Sequence, residues 1–131
     1  MADILIVEDN PDLAVLLAAI LHSAGHETRD ARNGREGLDR VAERAPAVVL
    51  LNIEMPVLNG AEMAYELFLR DCGDENIPVI LVSGIVGLPD IAARTGTPYF
   101  LAKPYTAEGV LEIVERALRE QIPPRPRETA A

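Results

Sequence analysis

Three short aliphatic runs punctuate this chain, Ile4–Val7, Ala47–Leu51 and Ile77–Val82, and a polar residue halts each of them. Unalternated runs of this length, rich in Val and Ile, are the pattern of strands buried on both faces. Between the first two runs the apolar period changes. Leu13, Leu16, Leu17, Ile20 and Leu21 recur at helical spacing. Asn10 stands where a helix cap belongs, Pro11 where a missing N–H costs nothing, and Gly25 where a helix ends. His26–Ala31 is a weaker and more polar strand, suited to a sheet edge. Asn33 with Glu36 has the form of a capping box, opening a second helix through about Arg44.

Past Asn52, Pro56 and the Asn59–Gly60 pair mark a turn. Gly60 to Asp71 then carries Ala61, Ala64, Leu67 and Phe68 on one side, a third helix, and Gly73–Asn76 is a polar loop. Ser83–Gly84 ends the Ile77–Val82 strand, and Leu88–Arg94 offers a short helical pattern. Pro98–Ala102 is a modest fifth strand closed by Lys103–Pro104. Thr106 caps a last helix marked by Val110, Leu111, Val114, Ala117 and Leu118. Pro123, Pro124 and Pro126 end that helix, so the chain divides into a domain over residues 1–121 and a Pro-rich tail, 122–131, expected to be mobile. Strands alternating with helices predict a parallel sheet covered on both faces, and five strands favour the doubly wound order 2-1-3-4-5. In that order the first and third strands are neighbours, which puts Glu8 and Asp9 beside Asn52.

Composition narrows the partners. Twelve basic against 21 acidic residues leave a net charge of −9, which disfavours direct contact with nucleic acid or anionic membranes. The single cysteine, Cys72, excludes an internal disulfide and suits a reducing compartment; it is expected to fill space near a helix end. No basic segment precedes the first apolar run, and the longest such run, Leu13–Leu21, is far short of the ~20 residues of a membrane span. The expectation is a cytoplasmic protein without a membrane segment. His22 and His26 lack a third ligand and are expected at the surface.

The chemistry gathers at the strand ends: Glu8 and Asp9 after the first, Asn52 after the third, Ser83 after the fourth, Lys103 after the fifth. Two carboxylates and an amide oxygen are a partial shell for a hard cation such as Mg²⁺. Lys103, the only lysine in the chain, offers a compact positive charge to a phosphate oxygen, and Ser83 adds a hydroxyl. Taken singly, each has a plainer role as cap, turn or surface charge. Their convergence on one edge favours function.

In these motifs the chain resembles the response-regulator receiver domains of two-component signalling. ILIVEDN matches that family's first strand and acidic pair, and LLNIEMPVLNG its aspartate, Met-Pro and glycine spacing except at the first position. VSG matches its hydroxyl position, and FLAKPY its aromatic and Lys-Pro. The resemblance covers residues 3 to about 120 and implies a flavodoxin-like α/β fold. It also implies Mg²⁺ held by Asp9 directly, by Glu8 through water, and by the main-chain carbonyl of Glu54, with Asn52 in the same shell. Ser83 and Phe100 would be the switch pair, Asn52, Ser83 and Lys103 the reaction positions, and the Lys103–Pro104 peptide cis. The implied partners are a histidine kinase or histidine phosphotransfer protein and a downstream effector protein.

One departure matters. Asn52 stands where the family has its phosphoacceptor aspartate, and a neutral amide is a poor nucleophile, so no acyl phosphate forms there by the family's route. This is either an introduced aspartate-to-asparagine exchange or a natural receiver that works without phosphate, and in both cases Mg²⁺ is held more weakly. The chain is expected not to be an enzyme. The alternative is a Mg²⁺-dependent phosphoryl or nucleotidyl transferase using Glu8, Asp9 and Glu54, which leaves Lys103–Pro104 unexplained. A nucleotide or flavin binder needs a glycine- or hydroxyl-rich loop after the first strand, where this chain is acidic.

Overall fold

The computed structural model describes residues 2–52, 68–84 and 96–125. Five strands form one parallel sheet in the order β2-β1-β3-β4-β5: β1 (Asp3–Val7), β2 (Glu27–Ala31), β3 (Val48–Asn52), β4 (Val79–Ser83) and β5 (Tyr99–Ala102). The described helices are α1 (Pro11–Ser23), α2 (Gly34–Glu43), helical residues 68–74 (α3) and α4 (Ala107–Glu120). The turn after Asn52 and the Leu88–Arg94 pattern lie outside the described residues.

The side-chain period of two divides the buried strands between two cores. Leu5, Val7, Val49, Leu51, Val79 and Leu81 pack with Val41 of α2 and with Phe68, Leu69 and Cys72 of α3. Ile4, Ile6, Val48, Leu50, Ile80 and Val82 pack with Leu17 and Leu21 of α1 and with Val110, Val114 and Ala117 of α4. A sheet loaded on both faces explains why β1, β3 and β4 read as continuous apolar runs. The polar β2 lies at an edge, as its sequence anticipates.

The caps form as their residues dictate. Asn10 Oδ1 accepts from the Asp12 and Leu13 amides at 2.9 and 3.3 Å, Asn33 Oδ1 from Glu36 at 2.9 Å, and Thr106 Oγ1 from Gly109 at 2.9 Å. Glu36 reaches back one residue further than a capping box requires, to the Arg32 amide at 3.3 Å. At the end of α1, Gly25 takes φ +87°, and His26 N–H and Gly25 N–H close back onto Leu21 and His22 carbonyls.

Several boundaries differ from the sequence reading. Gly73 and Asp74 continue the helix instead of opening a loop, and the turn falls at Glu75–Asn76, where Asn76 takes φ +59°. Strand β4 begins at Val79, since Pro78 has no N–H for a ladder and Ile77 N–H bonds to Cys72 O; Ser83 lies inside it. On α1 the sheet takes Ala14, Leu17 and Leu21, while Leu16 and its neighbour Val15 face outward, 49% and 69% exposed. That helix is apolar nearly all round, so periodicity alone could not pick the inner stripe. Cys72 is buried in the core, and desolvation pushes its thiol pKa up.

Candidate functional site

Neighbouring strands bring the centre of the site together. Val7 pairs with Leu51 across β1 and β3. One residue further along each chain come Glu8 and Asn52, both on the α1/α4 side by the same alternation. Both are buried, 5% and 6% exposed. The Asn52 amide Nδ2 donates to Glu8 Oε2 at 2.9 Å, and the Asn10 backbone N–H donates to the same oxygen at 3.1 Å. An ionised carboxylate only accepts, so the amide turns its nitrogen toward Glu8 and its oxygen away. That Asn52 Oδ1 is buried and has no hydrogen-bond partner among the described residues.

Burial raises the Glu8 pKa above its ordinary value, and the neighbouring Asp9 pushes the same way. The Asn10 N–H, the Asn52 amide and the Lys103 charge hold it back. Asp9, expected beside Asn52, is at the same strand end, with an exposed side chain. Glu54 lies outside the described residues.

The other two positions reach the site from β4 and β5. Ser83, fully buried, ends β4 opposite Ala102, and its carbonyl accepts from the Lys103 N–H at 2.9 Å. The Lys103–Pro104 peptide is cis. Lys103 is half-buried, and its charge acts on both Glu8 and the Tyr105 phenol. Beside it Leu13, Leu16, Lys103, Pro104 and Tyr105 line an open apolar groove of about 420 Å³. Phe100 sits on the edge strand opposite Leu81, 40% exposed.

The donor set fits a hard cation in kind. Asn52 Oδ1 is an unspent buried oxygen, and Glu8 and Asp9 supply carboxylates at the same strand end. Among the described residues no three His, Cys, Asp or Glu gather closely enough to hold a metal by themselves. His22 is exposed and contacts Thr28 Oγ1, while His26 is half-buried with Nδ1 accepting from the Ala2 amide.

Two fastenings escaped sequence reasoning. Arg29 is bidentate to Asp3, at 3.2 and 2.8 Å, and also donates to the Arg40 and Arg44 carbonyls at the end of α2. Tyr99 is fully buried in β5, and its hydroxyl meets Glu120 and the Ile122 amide. An arginine in a polar edge strand and a lone tyrosine carry no spacing signal that names their partners.

Residues 4–115 match the family model described as "Response regulator receiver domain". The chain is 36% identical to Protein PilH of Pseudomonas aeruginosa over 120 residues, covering 90% of this chain and 98% of that protein. It is 30% identical to Sporulation initiation phosphotransferase F of Bacillus subtilis over 117 residues, 88% of this chain and 92% of that protein. Against the nitrogen assimilation regulatory protein NtrX of Azorhizobium caulinodans it is 34% identical over 120 residues, 88% of this chain, but spans only 26% of that longer protein. The crystal structure of the receiver domain of NtrX from Brucella abortus superposes with a TM-score of 0.76 at 34% identity, covering 89% of this chain and 98% of that one.

Proposed function

The chain belongs to the response regulator receiver domain family, and from that premise we propose a receiver that signals by protein contact without forming an acyl phosphate at residue 52. Receivers of two-component systems interact with histidine kinases and with effectors, and generally bind Mg²⁺ at their acidic phosphorylation site. The Asn52–Glu8 hydrogen bond carries the proposal. The atom that Asn52 turns to the acidic pocket is an N–H donor, where an acceptor site needs a nucleophilic carboxylate oxygen.

Mg²⁺, when bound, screens the charge that builds on a transferring phosphoryl group. In this chain Glu8, Asp9 and the Glu54 carbonyl would hold it, joined by the Asn52 oxygen once the amide turns over from its bond to Glu8, with one formal charge fewer than an aspartate would give. Lys103 would place its ammonium against a phosphate oxygen, and Ser83 with Phe100 would relay occupancy of the site to the β4–β5 edge. A kinase or phosphotransfer protein can then dock without transfer, and the chain acts as a contact module, not a catalyst.

The test is incubation with acetyl phosphate or a histidine kinase in MgCl₂, read by intact mass. The chain should gain no phosphate, and Asn52→Asp should make it competent. An adduct on the Asn52 form that Asn52→Asp leaves unchanged would overturn the proposal.

A further inference from the structure

At the end of the sheet opposite Asn52, the chain leaving α4 does not run into solvent. Gln121 takes a left-handed conformation, φ +54°, and turns the backbone back across the sheet. The Ile122 N–H then donates to the Tyr99 hydroxyl at 3.3 Å, Pro124 is buried, and the Arg125 N–H donates to the Gly96 carbonyl at 3.1 Å. Two glycines make room for it. A Cβ on Gly73, in the last turn of α3, would come within 2.5 Å of the Pro124 carbonyl. A Cβ on Gly96 would overlap the Arg125 carbonyl, and its φ of +71° disfavours any side chain. The first four residues of the tail expected to be mobile therefore have a shaped seat.

The seat is wired to the other side of β5. Tyr99, its anchor, precedes Phe100, and the two side chains leave opposite faces of the strand. Tyr99 Oη donates to Glu120 at 3.1 Å, and Arg116 pairs with that carboxylate at 3.3 Å while its guanidinium lies 5.3 Å above the Tyr99 ring. Arg116 also lines, with Phe100, Leu101, Glu112 and Ile113, the groove on the outer face of β5 and α4. One side chain thus touches the anchor of the segment and the surface that carries Phe100.

We propose that Ile122–Arg125 is a strap whose docking on Tyr99, Gly73 and Gly96 is coupled, through Arg116 and the Tyr99–Phe100 step of β5, to the setting of Phe100. Chain following Arg125, or a partner that pulls on it, would shift the Phe100 face by lifting the strap. The converse also holds, since coupling between two sites is reciprocal.

The unaltered chain has two phenylalanines, Phe68 in the core and Phe100 at the edge. Fluorophenylalanine labelling therefore gives it and Pro124→Asp two ¹⁹F resonances, while Tyr99→Phe adds a third, from residue 99, recognised by its absence from the other two spectra. Two full-length variants perturb the strap from opposite sides: Tyr99→Phe removes the anchoring hydroxyl and keeps the ring, and Pro124→Asp unseats the strap without touching β5. Both should raise amide exchange at Ile122 and Arg125, by roughly three- to tenfold for loss of a single hydrogen bond. Both should also move the Phe100 resonance while leaving Phe68 in place. Two outcomes overturn the proposal: Ile122 and Arg125 amides that exchange at unprotected rates in the unaltered chain, or a Phe100 resonance that stays fixed when Pro124→Asp frees the strap. The result does not depend on residue 52.

Discussion

Asn52→Asp should cost stability in the absence of metal and recover it when Mg²⁺ is added. The substitution exchanges the 2.9 Å amide-to-carboxylate bond for two carboxylates in one buried pocket. Unit charges about 4 Å apart repel by roughly 4 kcal/mol at an effective dielectric of about 20. Proton uptake bounds that penalty, because holding a carboxyl of ordinary pKa protonated at neutral pH costs about 4 kcal/mol. The Lys103 charge, already acting on Glu8, offsets part of the remainder. A net loss of ~1–2 kcal/mol follows, ordinary for a point substitution. For a domain of this size that corresponds to a fall in Tm of about 3–8 °C. Mg²⁺ binds the aspartate form more tightly, and a ligand at 100 times its Kd adds about 2.7 kcal/mol, so saturating MgCl₂ should narrow or reverse the gap. Thermal melts of both forms, in EDTA and in MgCl₂, measure the four values. An aspartate form already the more stable in EDTA would show that Glu8 and residue 52 do not share an electrostatic pocket.

Two further expectations rest on single side chains. Arg29→Ala removes a bidentate partner from the partly buried Asp3 and two donors from the end of α2, and should lower stability by about 2 kcal/mol in urea unfolding. Arg29→Lys should recover only part of it, since an ammonium cannot span both the carboxylate and the carbonyls. His26 has its pKa lowered from 6.5 by desolvation, so the unfolded chain binds the proton more readily. Its contribution is therefore complete above pH 6.5 and is lost as pH falls below that value. His26→Gln should flatten the change in Tm between pH 7.5 and 6, and an NMR titration of the ring should place its midpoint below that of a free histidine.

The fold was legible because its strongest signals are local and redundant. Continuous runs at Ile4–Val7, Ala47–Leu51 and Ile77–Val82 read as doubly covered strands and each overlaps one, and Asn10, Asn33 and Thr106 each cap the helix they announce. The pairing of Glu8 with Asn52 was legible one level higher, since the strand order makes β1 and β3 neighbours. What escaped depends on contacts that no periodicity encodes. The outward turn of Leu16 follows from which stripe of an all-apolar helix the sheet selects. Gly73 looks like a helix breaker, yet it is helical, and the open space at its Cα admits the strap. Tyr99 and Arg29 are isolated in sequence, and only the fold gives them partners.

The Glu8–Asn52 bond joins residues 44 apart in sequence, and that separation has a kinetic consequence. A parallel sheet contains no hairpin, so β1 and β3 meet only after the intervening β2 and both flanking helices have been gathered, with the loop-closure entropy met before any pairing compensates for it. No nascent fragment ending before β3 can hold half of this pocket in place. The two residues also extend central strands, the class of element whose opening free energy approaches that of global unfolding. The site should therefore appear and vanish with the whole sheet, so that a partner reading it reads only fully folded copies of the chain.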